Sequence, residues 1–305
     1  MKIVTLTLNS TLDKSANVDG IVPDKKLKCH SITYAPGGGG INVTRVLKRL
    51  EVTSTCIYPC AGEHGRLSTQ LLLKEKIHPR PITVKNPIRE NFAVRDTQSG
   101  LQYRFGMPEN VLSNHELFRI RKTIHDNIQE GDILVLSGSI PESVPLNYYI
   151  SLLNNIPKSV KVIVDSSGPV LRETLQYPLF LIKPNQKELA NLVGRESLSS
   201  REQEEVALKL IHSEKVQYVV VSLGKDGAFL AYKDKIIYQG NPKFPKKSTI
   251  GAGDSMVAGL LYGILLESSP AQMLKWGVVC GVAATMIEGT GLATQANIKK
   301  VLKKL

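Results

Sequence analysis

No apolar run in the chain approaches the roughly 20 residues that a membrane-spanning helix needs. The opening residues, MKIVTLTLNSTLD, alternate as a strand does and contain no apolar core followed by a small-residue cleavage site. Both absences lead to the expectation of a cytoplasmic protein with no membrane partner. Cysteine is scarce: Cys29, Cys56, Cys60 and Cys280 form no CxxC pair and show no zinc spacing with the six histidines. That excludes a disulfide scaffold and a zinc module, and leaves reduced thiols. Aromatics make up only 6% of the residues and include no RNP-like motif. Acid is the scarcer sign, with 27 Asp and Glu against 39 Lys and Arg, a net +12. This excess is dispersed, with short clusters at Lys246-Lys247 and Lys299-Lys300 and no recognition helix. Nucleic acid is therefore not expected as a partner, whereas small phosphorylated molecules suit the charge. Internal repeats, low-complexity tracts and Pro/Gly/Ser linkers are also missing.

What is present is an α/β alternation in a chain of 305 residues, long enough for a large core. IVTLTL, TSTCIY, DILVLSG, VKVIVDSSG and LFLIKPN have the buried-strand pattern. INVTRVLKRL, MVAGLLYGILLES and MLKWGVVCGVAATMI have the helical one. VQYVVVSLGKDGAFLAY predicts a strand, a glycine-marked turn and another strand. Residues 10–35 and about 87–106 break the alternation with short β-like pieces, which predict a small sheet standing off the main domain. In open α/β sheets ligands bind beyond the carboxyl ends of the strands. Ser137, Asp165, Asn185 and Gly224 all follow predicted strands and could share one crevice.

Four segments carry candidate chemistry. In PGGGGINVTRVL (36–47) a glycine run enters a helix directly, either as a flexible turn or as a loop that lets a ligand approach the backbone. It is neither a Walker A sequence nor a dinucleotide fingerprint. Asn42, one turn in, has the chemistry to bind a polyol hydroxyl. In KPNQKEL (183–189), Asn185 and Glu188 have capping-box spacing and equally suit the edge of a hydrated Mg²⁺ site. VSLGKDGA (221–228) is a hairpin that could wall a nucleotide pocket. In STIGAGDSM (248–256), Gly251, Ala252 and Gly253 can aim successive N–H groups at one anion at a helix start. Asp254 beside them is either a helix cap or a general base, and the two roles are compatible.

PGGGGIN and TIGAGDSM resemble the two signatures of the ribokinase-like, or PfkB, family of sugar kinases. The likeness continues through TLTLNSTLD, QYRF, LSGSIP, VDSSG, KPNQKEL, VSLGKDGA and AATMIEGTG, and so spans nearly the whole chain. Gly39 stands where 1-phosphofructokinases and tagatose-6-phosphate kinases carry Lys in GGKGIN. With VDSSG in place of VDTSG, it brings the likeness nearest to the family's minor bacterial 6-phosphofructokinase branch.

The resemblance implies one kinase domain over 1–305, a three-layer sandwich with a central mostly parallel sheet and a discontinuous β lid from about 10–35 and 87–106. It also implies a homodimer of interlocked lids. The implied reaction is ATP-dependent phosphorylation of the 1-hydroxyl of fructose 6-phosphate to fructose 1,6-bisphosphate, a glycolytic step. Tagatose-6-phosphate kinase and 1-phosphofructokinase are alternatives, as is a non-catalytic sugar-phosphate sensor. By resemblance, Asp254 is the base, and Gly251, Ala252 and Gly253 form the anion hole. Asp13, Gly38, Gly39 and Asn42 hold the sugar; Arg89, Arg104 and Ser139 hold its phosphate, with Lys26 lent by the neighbouring lid. Lys183, Asn185, Ser222, Gly224, Gly227 and Ser248 match the ATP site. Glu188 matches a Mg²⁺ contact made through water, and Ser248, Ile250, Ala284, Ile287, Gly289 and Gly291 match a K⁺ site. Two departures stand out: Gly291 replaces an Arg of the nearest relatives, and SLGKDG replaces SLGPQG.

Overall fold

Short runs of Val, Ile and Leu alternate with helical segments, and in the computed structural model, which describes residues 1–305, that alternation becomes two sheets. β1 (Ile3–Leu6) leads into β2 (Thr11–Val18) and β3 (Cys29–Gly37). An α/β stretch follows: α1 (Gly39–Arg49), β4 (Thr55–Cys60), α2 (Gly62–Lys74) and β5 (Arg80–Thr83). β6 (Arg89–Asp96) and β7 (Gln102–Gly106) then precede α3 (Asn114–Asn127), β8 (Ile133–Ser137), α4 (Tyr148–Leu153), β9 (Lys161–Asp165) and α5 (Gly168–Thr174). The chain continues through β10 (Leu179–Ile182), α6 (Gln186–Leu192), α7 (Ser200–His212), β11 (Val216–Ser222), β12 (Ala228–Tyr232) and β13 (Lys235–Gln239). It ends in α8 (Ala252–Leu265), α9 (Pro270–Thr285) and α10 (Gln295–Leu302).

The large sheet runs β13-β12-β11-β10-β9-β8-β1-β4-β5 and is parallel except for the hairpin edge of β12 and β13. Alternate side chains enter two separate cores. Leu6, Leu134, Leu136 and Val164 pack with α3 to α7, whereas Ile3, Val135 and Ile163 pack with α1 and α8 to α10. The result is a three-layer α/β sandwich. β5 and β13 escape an apolar-run search because β5 buries only Ile82 and β13 buries no residue fully. All four cysteines are free, and no helix is long and apolar enough to cross a membrane.

The second sheet is β3-β2-β6-β7, with β2 and β6 parallel and the outer pairs antiparallel. Its register pairs Asp13 with Asn91 and Ala93 with Arg104, so these residues share one face with Arg89. Phe92, opposite Phe105, and Val94, opposite Tyr103, occupy the other face. Lys14 Nζ stands over the rings of Tyr34 and Phe92 on that side. One face is thus polar and the other aromatic. Much of the aromatic face is uncovered: Phe105 and Ile32 are each 50% exposed and Tyr34 is 42% exposed.

Candidate active site

The register of the parallel strands brings their carboxyl ends to one side. Ser137 pairs with Asp165, and Lys183 follows Ile182, the partner of Val164. A crevice of about 470 Å³ opens there, lined by Ser139, Asp165, Lys183, Asn185, Glu188, Ser222, Thr249, Gly253 and Asp254 among others. Most of the acid and base candidates therefore lie within one opening.

Helix α8 starts at this crevice without a side-chain cap. Its N-cap is Gly251, in the left-handed region at φ 70°, and a Cβ there would strike Leu292. Asp254 sits inside the first turn, not at the cap. Its Oδ2 accepts a hydrogen bond from Asn42 Nδ2 at 2.8 Å, across 212 positions of sequence. Cap and base thus separate: glycine shapes the turn and leaves the N–H groups of Gly251 and Gly253 open, that of Ala252 donating to Thr249 O at 3.4 Å, while the carboxylate faces the first glycine loop. Asn42 is committed to this carboxylate. Burial first, then the neighbouring charge of Asp165, pushes Asp254 up to about 7. A carboxylate poised there is suited to accepting a proton near neutral pH.

The glycines before α1 make the approach of Asn42 possible. Gly38 is the N-cap at φ 110°, and a Cβ on Gly39 would collide with Ser137 Oγ and come within 2.6 Å of Gly138 N. Any side chain at 39 would push α1 away from the crevice.

Lys183 lies beside the open turn of α8. It is buried, and its Nζ is 3.0 Å from Asp165 Oδ1. Burial opposes its charge, yet the carboxylates of Asp165, Glu188 and Asp254 outweigh that and raise it above its ordinary value. Asn185 and Glu188 form a reciprocal capping box at α6: Glu188 N donates to Asn185 Oδ1 at 2.9 Å, and Asn185 N to Glu188 Oε2 at 2.8 Å. Burial raises Glu188 despite that bond. Nowhere do three His, Cys, Asp or Glu side chains converge as a self-sufficient metal cage. The donor set suits a hard cation that brings water and phosphate oxygens with it.

A second cavity, of about 460 Å³, adjoins the crevice through Ser222, Thr249 and Gly253. Its walls include Phe244, Met256, Val278 and Val282, with Gly224 and Gly227 at the 222–227 turn. It is an apolar slot beside the uncapped start of α8. Ser248 lines neither opening; its hydroxyl donates to Gly289 O at 2.8 Å, and Thr249 takes the lining position. Among the loop residues, Ser248 Oγ also accepts from Ile250 N, Ile287 N donates to Ala284 O, and Gly291 lies against Ile287.

On the small sheet, Asp13 accepts from Thr11 Oγ1 at 2.7 Å and from Asn91 Nδ2 at 3.1 Å. Arg89 Nε is buried with no partner. Arg104 is exposed on the same polar face, and Lys26 is exposed in the segment between β2 and β3, outside both cavities. Ser139 accepts from Asn9 Nδ2 at 3.0 Å, and Asn9 also donates to Glu109 at 2.7 Å. Asp165 lies in the crevice as its strand-end position led us to expect; Asn9 and Thr249 lie within quoted motifs without having been singled out, and the apolar slot has no local motif at all.

A family model described as pfkB family carbohydrate kinase matches residues 6–297. The chain belongs to that family. Among pfkB-family relatives it is 37% identical over 303 residues to the ATP-dependent 6-phosphofructokinase isozyme 2 of Escherichia coli, covering 99% of this chain and 98% of the relative. The solved phosphofructokinase-2 of Escherichia coli in complex with fructose-6-phosphate superposes with a TM-score of 0.93 at 36% identity, covering 99% and 98% of the two chains. The same enzyme in complex with potassium gives a TM-score of 0.94, with the same identity and coverage. The pfkB-family assignment makes this chain a kinase that transfers phosphate to a carbohydrate hydroxyl.

Proposed function

We propose that the protein transfers the terminal phosphoryl group of ATP to the 1-hydroxyl of fructose 6-phosphate, giving fructose 1,6-bisphosphate and ADP. The observation that carries this is the Asp254 carboxylate, tied to Asn42 and set beside the uncapped start of α8. Asp254 accepts the proton of the attacking hydroxyl as the new O–P bond forms and the bond to the leaving phosphate breaks. The free N–H groups of Gly251 and Gly253 hold the charge of the transferring group, joined by that of Ala252 when it leaves Thr249 O, and Lys183 adds a buried positive charge beside them. Asp13 orients the sugar hydroxyls. Arg89, Arg104 and Ser139 hold the 6-phosphate, where the unpartnered Arg89 Nε supplies a free donor. The apolar slot between Phe244 and Val282 takes the adenine.

Glu188 would hold Mg²⁺ through water, where the ion screens the nucleotide's phosphate charge. The oxygen-rich loop of Ser248, Ile250, Ala284, Ile287, Gly289 and Gly291 suits K⁺, which binds through carbonyl oxygens. The uncovered aromatic face of the small sheet supports pairing of two lids as a homodimer, with Lys26 crossing to the partner's sugar phosphate.

Comparison of kcat/KM for fructose 6-phosphate, tagatose 6-phosphate and fructose 1-phosphate tests the substrate. Fructose 6-phosphate should lead, and a higher value for either other sugar overturns it. Mixing inactive Lys26→Ala with inactive Asp254→Asn and allowing subunit exchange tests the shared site. A mixed dimer has one intact site, so activity should return; no recovery after demonstrated exchange removes Lys26 from the partner's site.

A further inference from the structure

At the opposite end of the large sheet, where β4 and β5 begin, lies a separate cavity of about 830 Å³. Lys48, Lys76, His78 and Arg80 line it, and no Asp or Glu does. None of these four side chains takes part in an ion pair or side-chain hydrogen bond, whereas nearby Arg45 pairs with Glu75 at 2.6 Å and Arg49 donates to Leu292 O at 2.8 Å. Nor are the lysines needed to cap the adjacent helix ends. Val52 N already bonds Leu47 O at 2.9 Å after α1, and Ile77 N bonds Leu72 O at 3.0 Å after α2.

Three permanent cations and an imidazole thus share a concave wall without a counter-charge. Their mutual repulsion disfavours the folded state, and the low-dielectric wall focuses their potential on whatever enters. Thr55 adds a neutral hydroxyl to the lining, while Ser54 Oγ donates to Thr44 Oγ1 at 3.2 Å. No Phe, Tyr or Trp lines the cavity, in contrast to the slot bearing Phe244, and the exposed His78 imidazole is the one ring a nucleobase could meet.

We propose that this cavity binds a small non-nucleotide anion carrying two or more phosphate groups. Arg80 engages one phosphate with its planar fork, and Lys48 and Lys76 neutralise the remaining charge. The site is separate from the reactive crevice and does not depend on which sugar is phosphorylated there.

Inorganic pyrophosphate is the probe. His78 ring protons are followed by NMR, assigned by their absence in His78→Gln, and binding is measured by calorimetry in wild type and in Lys48→Gln/Arg80→Gln. The His78 signals should shift saturably, and more strongly than with inorganic phosphate at equal concentration. The double variant should bind at least about 10-fold more weakly at this site. Its basal turnover should be unchanged and its thermal midpoint no lower, because a repulsion has been relieved. Stationary His78 signals up to about 10 mM pyrophosphate, or equal affinity in wild type and the double variant, overturn the proposal. Equal response to mono- and pyrophosphate overturns the requirement for two phosphates.

Discussion

Helices α8 and α9 pack against each other and share an apolar, small-residue character, but they begin in opposite ways. At α9, Ser269 accepts from Gln272 N at 3.4 Å, Gln272 Oε1 accepts from Ser269 N at 3.4 Å, and Pro270 occupies the first turn. Its free donors are closed by its own side chains. At α8, Gly251 offers no side chain; only Ala252 N is engaged, by Thr249 O at 3.4 Å, and no side chain closes the turn. Asp254, inside that open turn, is half-buried and carries a raised proton affinity. Structural helices close their ends; a helix end that must receive an anion cannot. The difference teaches that α8 forgoes only about a few tenths of a kcal/mol by capping with glycine, and that the larger cost lies in withdrawing the Asp254 carboxylate from water.

The largest expected effect comes from removing the charge that α9 lacks. Asp254→Asn should lower kcat by about 10²–10⁴ while nucleotide binding persists, checked by steady-state kinetics and calorimetry. Near-normal turnover would leave Asp254 with no role as a base.

Arg104→Ala should raise KM for fructose 6-phosphate about 10- to 100-fold, the loss expected for a charged hydrogen bond to phosphate, with little change in KM for ATP. Equal change in both values would point to a general disturbance of the lid.

The pH dependence sharpens the contrast further. As Asp254 deprotonates with its value raised to about 7, kcat should climb through that pH and level off above it. Stability runs the other way. A carboxyl whose folded value is raised contributes stability that is full below its ordinary 3.8 and is lost as pH rises through about 7. Asp254→Asn should therefore raise the thermal midpoint most above pH 7, by roughly 2 °C or more in calorimetry. No gain at pH 8 would mean that the buried charge costs nothing.

The smallest effect belongs to the closed helix. Ser269→Ala should cost about 1 kcal/mol, seen as a fall of roughly 1–2 °C in thermal midpoint, with turnover unchanged.

Local pattern carried the main parallel sheet, because each central strand is buried on both faces and reads as an unbroken apolar run. It missed β5 and β13, edge strands whose exposure removes that signal. The open turn at α8 was visible as GAGD, and the box at α6 as NQKE. Spacing alone left Asp254 between cap and base; its contact with Asn42 separates the roles, and that contact exists only because α1 and α8 meet. The pairing of Lys183 with Asp165 likewise depends on β9 and β10 being neighbours, a tertiary fact that no local motif records. Ser248 illustrates the opposite limit, since a one-residue rotation of the backbone gives the cavity wall to Thr249.

The parallel pairing of β2 with β6 has a consequence for the order of assembly. Residues 11–18 meet residues 89–96 only after α1, β4, α2 and β5 have been threaded between them. Closing that stretch costs chain entropy before any strand hydrogen bond is gained, whereas β2 with β3 and β6 with β7 pair with sequence neighbours as hairpins. The β2–β6 register is therefore expected to form after the two hairpins that flank it. Its backbone amides would gain protection from hydrogen exchange after those of the β6–β7 pair during refolding. The polar face that joins Asp13 to Arg89 and Arg104 would exist only once the two hairpins have docked.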